Sequence, residues 1–343
     1  MATGILLAVL SGVLWGVCFL PMRYTKQFAW ENTWFIWAFT CCLLFPPTIA
    51  YFTIPDLLQV FREVGVRLNL IILGVGLVAG MSGICIGLGL RKVGMAITNS
   101  LSSGVALAVG AFVPLAVQHR SVLFTNVGLT LYLGLILAVA GVVICALAGS
   151  KRNGESAYAS QSHQATNKRR SIILQGIVLA IVAGLLTPAQ NFGMAFADTF
   201  MKVARAHGSS EAFMAFAFYI PYFGTSFVSN GIYCAWLWKK NNSLAQFREP
   251  CAVRFTALSV GMAALWIGGC ILYGWAMPWM KTFGPVVAWP ISMVTTNLTS
   301  AFVEYLYGDW EGKALQALTY GLVVLTIAIG IFGYSSFMIA TAL

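Results

Sequence analysis

Apolar runs of about twenty residues alternate with short polar breaks along the whole chain. A helix needs such a run to cross the hydrocarbon layer. The pattern predicts ten spans, at about 4–22, 32–53, 68–90, 94–117, 124–148, 171–198, 211–238, 252–279, 285–307 and 314–340. The breaks between them are chemical. FPPTIAYFTIPD ends the second span, and GDWEGK separates the ninth from the tenth. One break differs. Residues 150–170, SKRNGESAYASQSHQATNKRR, are polar, Ser-rich and aperiodic, which reads as a flexible linker. It divides the chain into five spans at 1–149 and five at 171–343.

Composition agrees with this pattern. Of 343 residues 59% are hydrophobic and 9% charged, against about 25% charged in a soluble domain. The mean hydropathy is +0.83. Most of the surface must face lipid, so an all-α polytopic membrane protein is expected. The first run has no basic residue ahead of it and no small-residue cleavage site after it, so it reads as a retained helix rather than a signal peptide.

The net charge of +10 points to lipid headgroups rather than nucleic acid, because the basic residues sit at the ends of apolar runs. The odd-numbered loops carry 14 Lys and Arg and the even-numbered loops 6. The positive-inside rule then places the odd loops in the cytoplasm and both termini outside. The eight cysteines form no CxxC pair and lie mostly in apolar runs, as small packing residues do. His119, His163 and His207 fall in loops. No metal site and no catalytic triad is expected from them, and therefore no enzyme.

The two halves resemble each other. With Gly94 placed on Gly284, an offset of 190, Ala111-Phe112-Val113 falls on Ala301-Phe302-Val303 without a gap. With Gly12 on Gly184, GVLWGVCF runs beside GLLTPAQN, and Glu31 is matched by Glu211. These matches, in the same order, imply a duplication. Five spans is an odd number, so the second copy must be inverted in the membrane. Inverted repeats with a site at mid-depth are a transporter architecture.

Polar groups in hydrocarbon usually face the protein interior or a wet cavity. In the fourth span Asn99, Ser102 and Ser103 share one helix face. The offset places them against Trp289, Ser292 and Met293 in the ninth, whose face continues to Thr296. In the sixth span Thr187, Gln190 and Asn191 repeat the spacing, opposite Trp15, Cys18 and Phe19 in the first. Short amides and hydroxyls both donate and accept, which suits sugar hydroxyls. The C–H faces of a pyranose pack on rings, for which Trp15, Trp266, Tyr273, Trp275 and Trp289 are candidates. The plainer use of Ser, Thr and Asn here is helix-to-helix glue. Trp34, Trp37 and Trp310 read as interface belts or lipid contacts. Pro188 is expected to kink the sixth helix.

Few carboxylates remain for coupling. Glu31 opens the second span, where it could simply complement the helix dipole or pair with Lys26. Asp198 lies near the outer end of the sixth span and Glu304 near the inner end of the ninth. These three are the proton-coupling candidates.

CFLPMRYTKQFAWENTW at residues 18–34 and GICIGLGLRKVGMAI at 83–97 resemble the bacterial L-rhamnose–proton symporters, of the drug/metabolite transporter superfamily. The long central linker and LYGWAMPWMKTFGP near residues 272–285 extend the likeness over the whole chain. The resemblance implies a fold of ten transmembrane helices in two inverted five-helix repeats, with spans 5 and 10 peripheral. It also implies proton-driven, alternating-access import of L-rhamnose or a related deoxyhexose across the bacterial inner membrane, with periplasmic termini. No cofactor beyond the coupling proton is expected. The expected partners are the sugar and the bilayer, and the expected state is a monomer or weak dimer. A uniporter or exporter of another polar metabolite is the alternative.

Overall fold

In the computed structural model, residues 2–118, 124–158, 163–280 and 284–342 are described, and all of their regular structure is helical. In order the α-helices are α1 (Ala2–Val17), α2 (Trp30–Ala38), α3 (Phe45–Thr53), α4 (Leu57–Val64), α5 (Val66–Val93), α6 (Met95–Gln118) and α7 (Asn126–Tyr158). Then follow α8 (His163–Leu186), α9 (Ala189–Ala206), α10 (Phe216–Asn241), α11 (Ala252–Trp279), α12 (Gly284–Leu306) and α13 (Gly312–Ala342). Among the described residues, seven segments are long and apolar enough to cross a membrane. The other predicted spans fall on α6, on α8 with α9, and on α10. The protein is a polytopic, all-helical membrane protein.

Three local features depart from uninterrupted spans. A π-helical turn at Phe39–Leu44 joins α2 to α3. It lies just before Pro46 and Pro47, which have no N–H to give to the preceding turn, and the widened turn lets the helix continue through them. The sixth span is broken rather than kinked. Thr187 bonds Ala183 O through both its N–H (2.8 Å) and its hydroxyl (2.7 Å), and the helix restarts after Pro188. The polar stretch 150–170 is helical where described, with α7 running to Tyr158 and α8 starting at His163. Extending an established helix is far easier than nucleating one, so polarity alone does not end it.

The chain forms two compact units, each drawing on both halves of the sequence. The first comprises residues 1–17, 85–188 and 276–343. Here α12 is the most enclosed span, with 83% of its apolar window buried against 28–39% for the other six, so its polar side chains face protein. Ser292 donates to Ala8 O (2.9 Å) and Ser300 to Gly16 O (3.0 Å), an eight-residue step on both helices, so α1 and α12 run parallel. They are close because α1 offers glycine. A Cβ at Gly12 would lie 2.5 Å from Ser292 O, and one at Gly16 2.6 Å from Thr299 Cβ. The α8–α6 contact is built the same way. Gly176 meets Val93, two residues ahead of α6, and Gly184 meets Ser102 O further along it, where a Cβ would be 2.6 Å away, so these helices are also parallel. By contrast α6 and α12 are antiparallel, with Asn99 at Ser300 and Ala106 at Trp289. So are α7 and α13, where Gly134 meets Phe332 and Gly321 meets Cys145.

The second unit comprises residues 18–84 and 189–275. Here α2 runs antiparallel to α10, with Asn32 at Trp238 and Trp34 at Asn230. Gly76 and Gly80 of α5 pack on Tyr222 O and Ser226 O of α10, in parallel. Phe28, two residues ahead of α2, packs on Phe255 and Trp37 on Trp266, so α2 and α11 are parallel.

Candidate functional site

The predicted site residues divide between the units and are described unit by unit. In the first unit a polar seam joins α6 to α12. Asn99, 8% exposed, donates to Ser300 Oγ at 2.9 Å. Asn297 Nδ2 donates to Ser103 Oγ, and Ser103 donates back to Asn99 O. Ser102 donates to Thr98 O (2.7 Å), Thr296 to Ser292 O (2.8 Å), and Thr187 to Ala183 O (2.7 Å). Buried Trp289 donates to Ala106 O at 3.2 Å and rests where a Cβ at Gly110 would lie 2.5 Å from its Nε1. Trp15 is buried in the same unit. Asn99, Ser102, Ser103, Thr187, Trp289, Ser292 and Thr296 are thus engaged with helix carbonyls and with one another, the glue arrangement the sequence left open. Glu304 is 3% exposed near the end of α12. Trp310 is also buried, not in an interface belt.

The second unit holds an aromatic cluster centred on α2. Trp34 and Trp37 are 0% and 4% exposed, so neither is the belt or lipid contact their sequence position suggested. Residues 30, 34 and 37 recur at i, i+4 and i+7, which is one helix face turned inward. Trp30 stacks on Trp34 at 5.2 Å and 17°, and Phe19 stacks on its ring at 5.6 Å and 22°. Trp37 meets Trp34 at 4.4 Å and lies edge-on to Trp266 at 5.7 Å and 84°. Asn230 fixes Trp34 by accepting from its Nε1 at 2.8 Å. Of the predicted ring residues, Trp266 belongs to this cluster. Tyr273 is fully buried one helix stretch further along α11, and Trp275 donates to Ala212 O. The backbones of Gln190 and Asn191 lie in α9; their side chains lie outside the described residues.

The start of α2 carries a buried polar network that the sequence did not reveal. Glu31, 1% exposed, accepts from Asn241 Nδ2 at 2.9 Å and from Ser243 Oγ. Its neighbour Asn32 donates to Ser243 O (3.0 Å) and Gln246 Oε1 (3.1 Å), and accepts from Trp238 Nε1 (2.6 Å). Gln246 also accepts from Ala29 N at 2.7 Å. The partners come from the end of α10 and the short 3-10 helix Ser243–Arg248, about 210 residues away in sequence. A left-handed residue, Asn242 at φ 51°, turns the chain between them. Asp198 is different. Its side chain is 62% exposed and pairs with Lys202 one turn on, at 2.5 Å. Among the described residues no His, Cys, Asp and Glu cluster could hold a metal ion.

An all-helical membrane fold with buried polar groups and a carboxylate inside its bundles defines a transporter-like protein. The sequence model of the L-rhamnose-proton symport protein (RhaT) family matches residues 1–338, and the chain belongs to that family. It is 25% identical to the L-rhamnose-proton symporters of Yersinia pestis (strain Pestoides F) and Pectobacterium atrosepticum. Each alignment covers 95% of this chain, with 98% and 97% of the two relatives. A solved crystal structure matches 96% of this chain and 97% of its own with a TM-score of 0.53 at 12% identity, a likeness of fold alone.

Proposed function

We propose that the protein imports a monosaccharide, L-rhamnose or a related deoxyhexose, by proton symport with alternating access. The observation that carries this is the family match over almost the whole chain. It is a transporter and not an enzyme. In such a cycle a buried site faces one side of the membrane and then the other, and the proton drives uptake only by binding the two states unequally.

Several observations support the ten-span, inverted-repeat reading with halves at 1–149 and 171–343. Chaining the parallel and antiparallel contacts within each unit makes α1 oppose α8, α2 oppose α10, α5 oppose α11, α6 oppose α12 and α7 oppose α13. The contacts also obey the sequence offset. Gly12 touches Ser292 and Thr295, and Gly184 touches Ser102 and Val105, each 190 residues earlier than its counterpart on α12. The Asn99–Ser300 pair has its image in Trp289–Gly110 at the same offset. Loop parity fits as well. Ala29 meets Gln246 across loops 1 and 7, His207 meets Glu63 across loops 6 and 2, and Lys92 in loop 3 meets Gln175 in the first turns of the sixth span, next to loop 5. With the basic-residue bias, this supports an inner-membrane protein with periplasmic termini.

Glu31 is the carboxylate best placed to carry the coupling proton. It is buried and held by an amide and a hydroxyl, whereas Asp198 is an exposed surface ion pair of little energetic consequence. Glu304 is the second candidate. The test is labelled L-rhamnose uptake into proteoliposomes. Wild type should accumulate sugar only with an inward proton gradient. Glu31→Gln should lose accumulation yet keep sugar exchange between the two sides. Accumulation that ignores the gradient would contradict symport. Gradient-driven accumulation retained in Glu31→Gln would move the proton to Glu304.

A further inference from the structure

We infer that one face of α2 is the sugar-binding face, with Trp30, Thr33 and Trp37 hydrogen-bonding the hydroxyls of a neutral monosaccharide. This rests on the sugar-transport reading above and names residues for it. The three positions follow i, i+3, i+7 and lie on one side of α2. They are 6%, 1% and 4% exposed. Yet Trp30 Nε1, Thr33 Oγ1 and Trp37 Nε1 have no hydrogen-bond partner among the described residues.

Elsewhere in this unit the buried indole of Trp34 is paired with Asn230, and even the half-buried indoles of Trp238 and Trp275 are paired, with Asn32 and Ala212 O. Buried polar atoms in native proteins are almost always satisfied, because leaving one unpaired forfeits its hydration for nothing. Three unpaired groups on one helix face are therefore a feature to be explained by something that binds there. Their chemistry selects the ligand. An indole N–H only donates, so the ligand must supply acceptors at both ends, and the threonine hydroxyl between them takes either role. None of the three is charged, so neither an anion nor a cation is favoured. Trp30 and Trp37 are about 10 Å apart along the helix axis, a stretch that indole side chains can narrow from both ends. That geometry suits a ring bearing several hydroxyls better than a single ion. The ring contacts of Trp30 and Trp37 with Trp34, and of Trp37 with Trp266, hold both indoles in place, so little side-chain freedom is lost on binding.

The experiment measures L-rhamnose dissociation constants and melting temperatures for the full-length protein in nanodiscs. Trp30→Phe and Trp37→Phe keep a ring and remove the N–H, and Thr33→Val keeps the shape and removes the hydroxyl. Each should weaken binding about tenfold, the loss of one hydrogen bond. Thr33→Val should leave the sugar-free melting temperature unchanged or higher, since it deletes a buried group that has no partner. Trp279→Phe, at an exposed tryptophan of α11, should leave binding unchanged. A structural role for the α2 face would give the reverse, a lower melting temperature with binding intact. Wild-type binding with all three α2 variants at the wild-type constant would overturn this inference alone. So would an equal loss in Trp279→Phe. A wild type that binds no sugar in a panel including L-rhamnose would overturn the functional reading and this inference with it.

Discussion

The seam between α6 and α12 and the inner face of α2 are both polar, both buried and both set in otherwise apolar helices, yet they differ in one respect. In the seam Asn99 finds Ser300, Asn297 Nδ2 finds Ser103, and Ser292 and Ser300 find carbonyls of α1. Among the described residues only single atoms of the seam, Thr98 Oγ1 and Asn297 Oδ1, lack a partner beside these bonds, whereas on α2 Trp30 Nε1, Thr33 Oγ1 and Trp37 Nε1 all lack one on a single face. Interhelical hydrogen bonds in membranes contribute about 0.6–2 kcal/mol each, so the seam is explained by holding helices together. The α2 face gains no such energy from its own protein. Several unpaired polar atoms gathered on one helix face therefore point to a ligand, where a single unpaired atom inside a bonded seam does not.

The comparison can be broken in several ways. The largest effect is expected from Glu31→Gln, which should abolish gradient-driven accumulation while exchange persists, as measured in proteoliposomes. Gly12→Val comes next. Its added Cβ would lie 2.5 Å from Ser292 O and 2.6 Å from Thr295 Cβ, prying α1 off the seam helix. A loss of about 2–3 kcal/mol is expected from such overpacking, read as a lower melting temperature. Gly184→Val should match it, because its Cβ meets Ser102 O and Val105 in the image contact. Unequal losses would weaken the repeat relation. Asn99→Ala should cost about 1 kcal/mol of stability through the lost Ser300 bond, with little change in sugar affinity. A large loss of affinity there would return the seam to the binding site. Asp198→Asn should have the smallest effect, within about 0.5 kcal/mol and with uptake unchanged, since its partner Lys202 is exposed as well.

The membrane spans were legible because lipid imposes one requirement on every helix that crosses it, a run of about twenty apolar residues. The likeness of the two halves was legible as weak matches, and the 190-residue offset read between the fourth and ninth spans also relates the partners of Gly12 to those of Gly184. What stayed hidden depends on residues distant in sequence. Trp34 reads like a belt tryptophan until Asn230, 196 residues away, is seen to bond it. Glu31 reads like a dipole partner until Asn241 and Ser243 close around it. Asp198 looks like Glu31 in the sequence, and only its exposure separates them. The polar stretch after residue 149 reads as coil because periodicity reports amphipathic faces, and a helix with no apolar face leaves none to detect.

The most direct measurement compares Thr33→Val with Asn99→Ala in one nanodisc preparation, taking the L-rhamnose dissociation constant and the melting temperature of each. The expected result is a crossover. Thr33→Val should lose about tenfold in affinity and hold its melting temperature, while Asn99→Ala lowers its melting temperature and holds affinity. The opposite crossover, with affinity lost at Asn99 and kept at Thr33, would contradict the division between a seam that binds helices and a face that binds sugar.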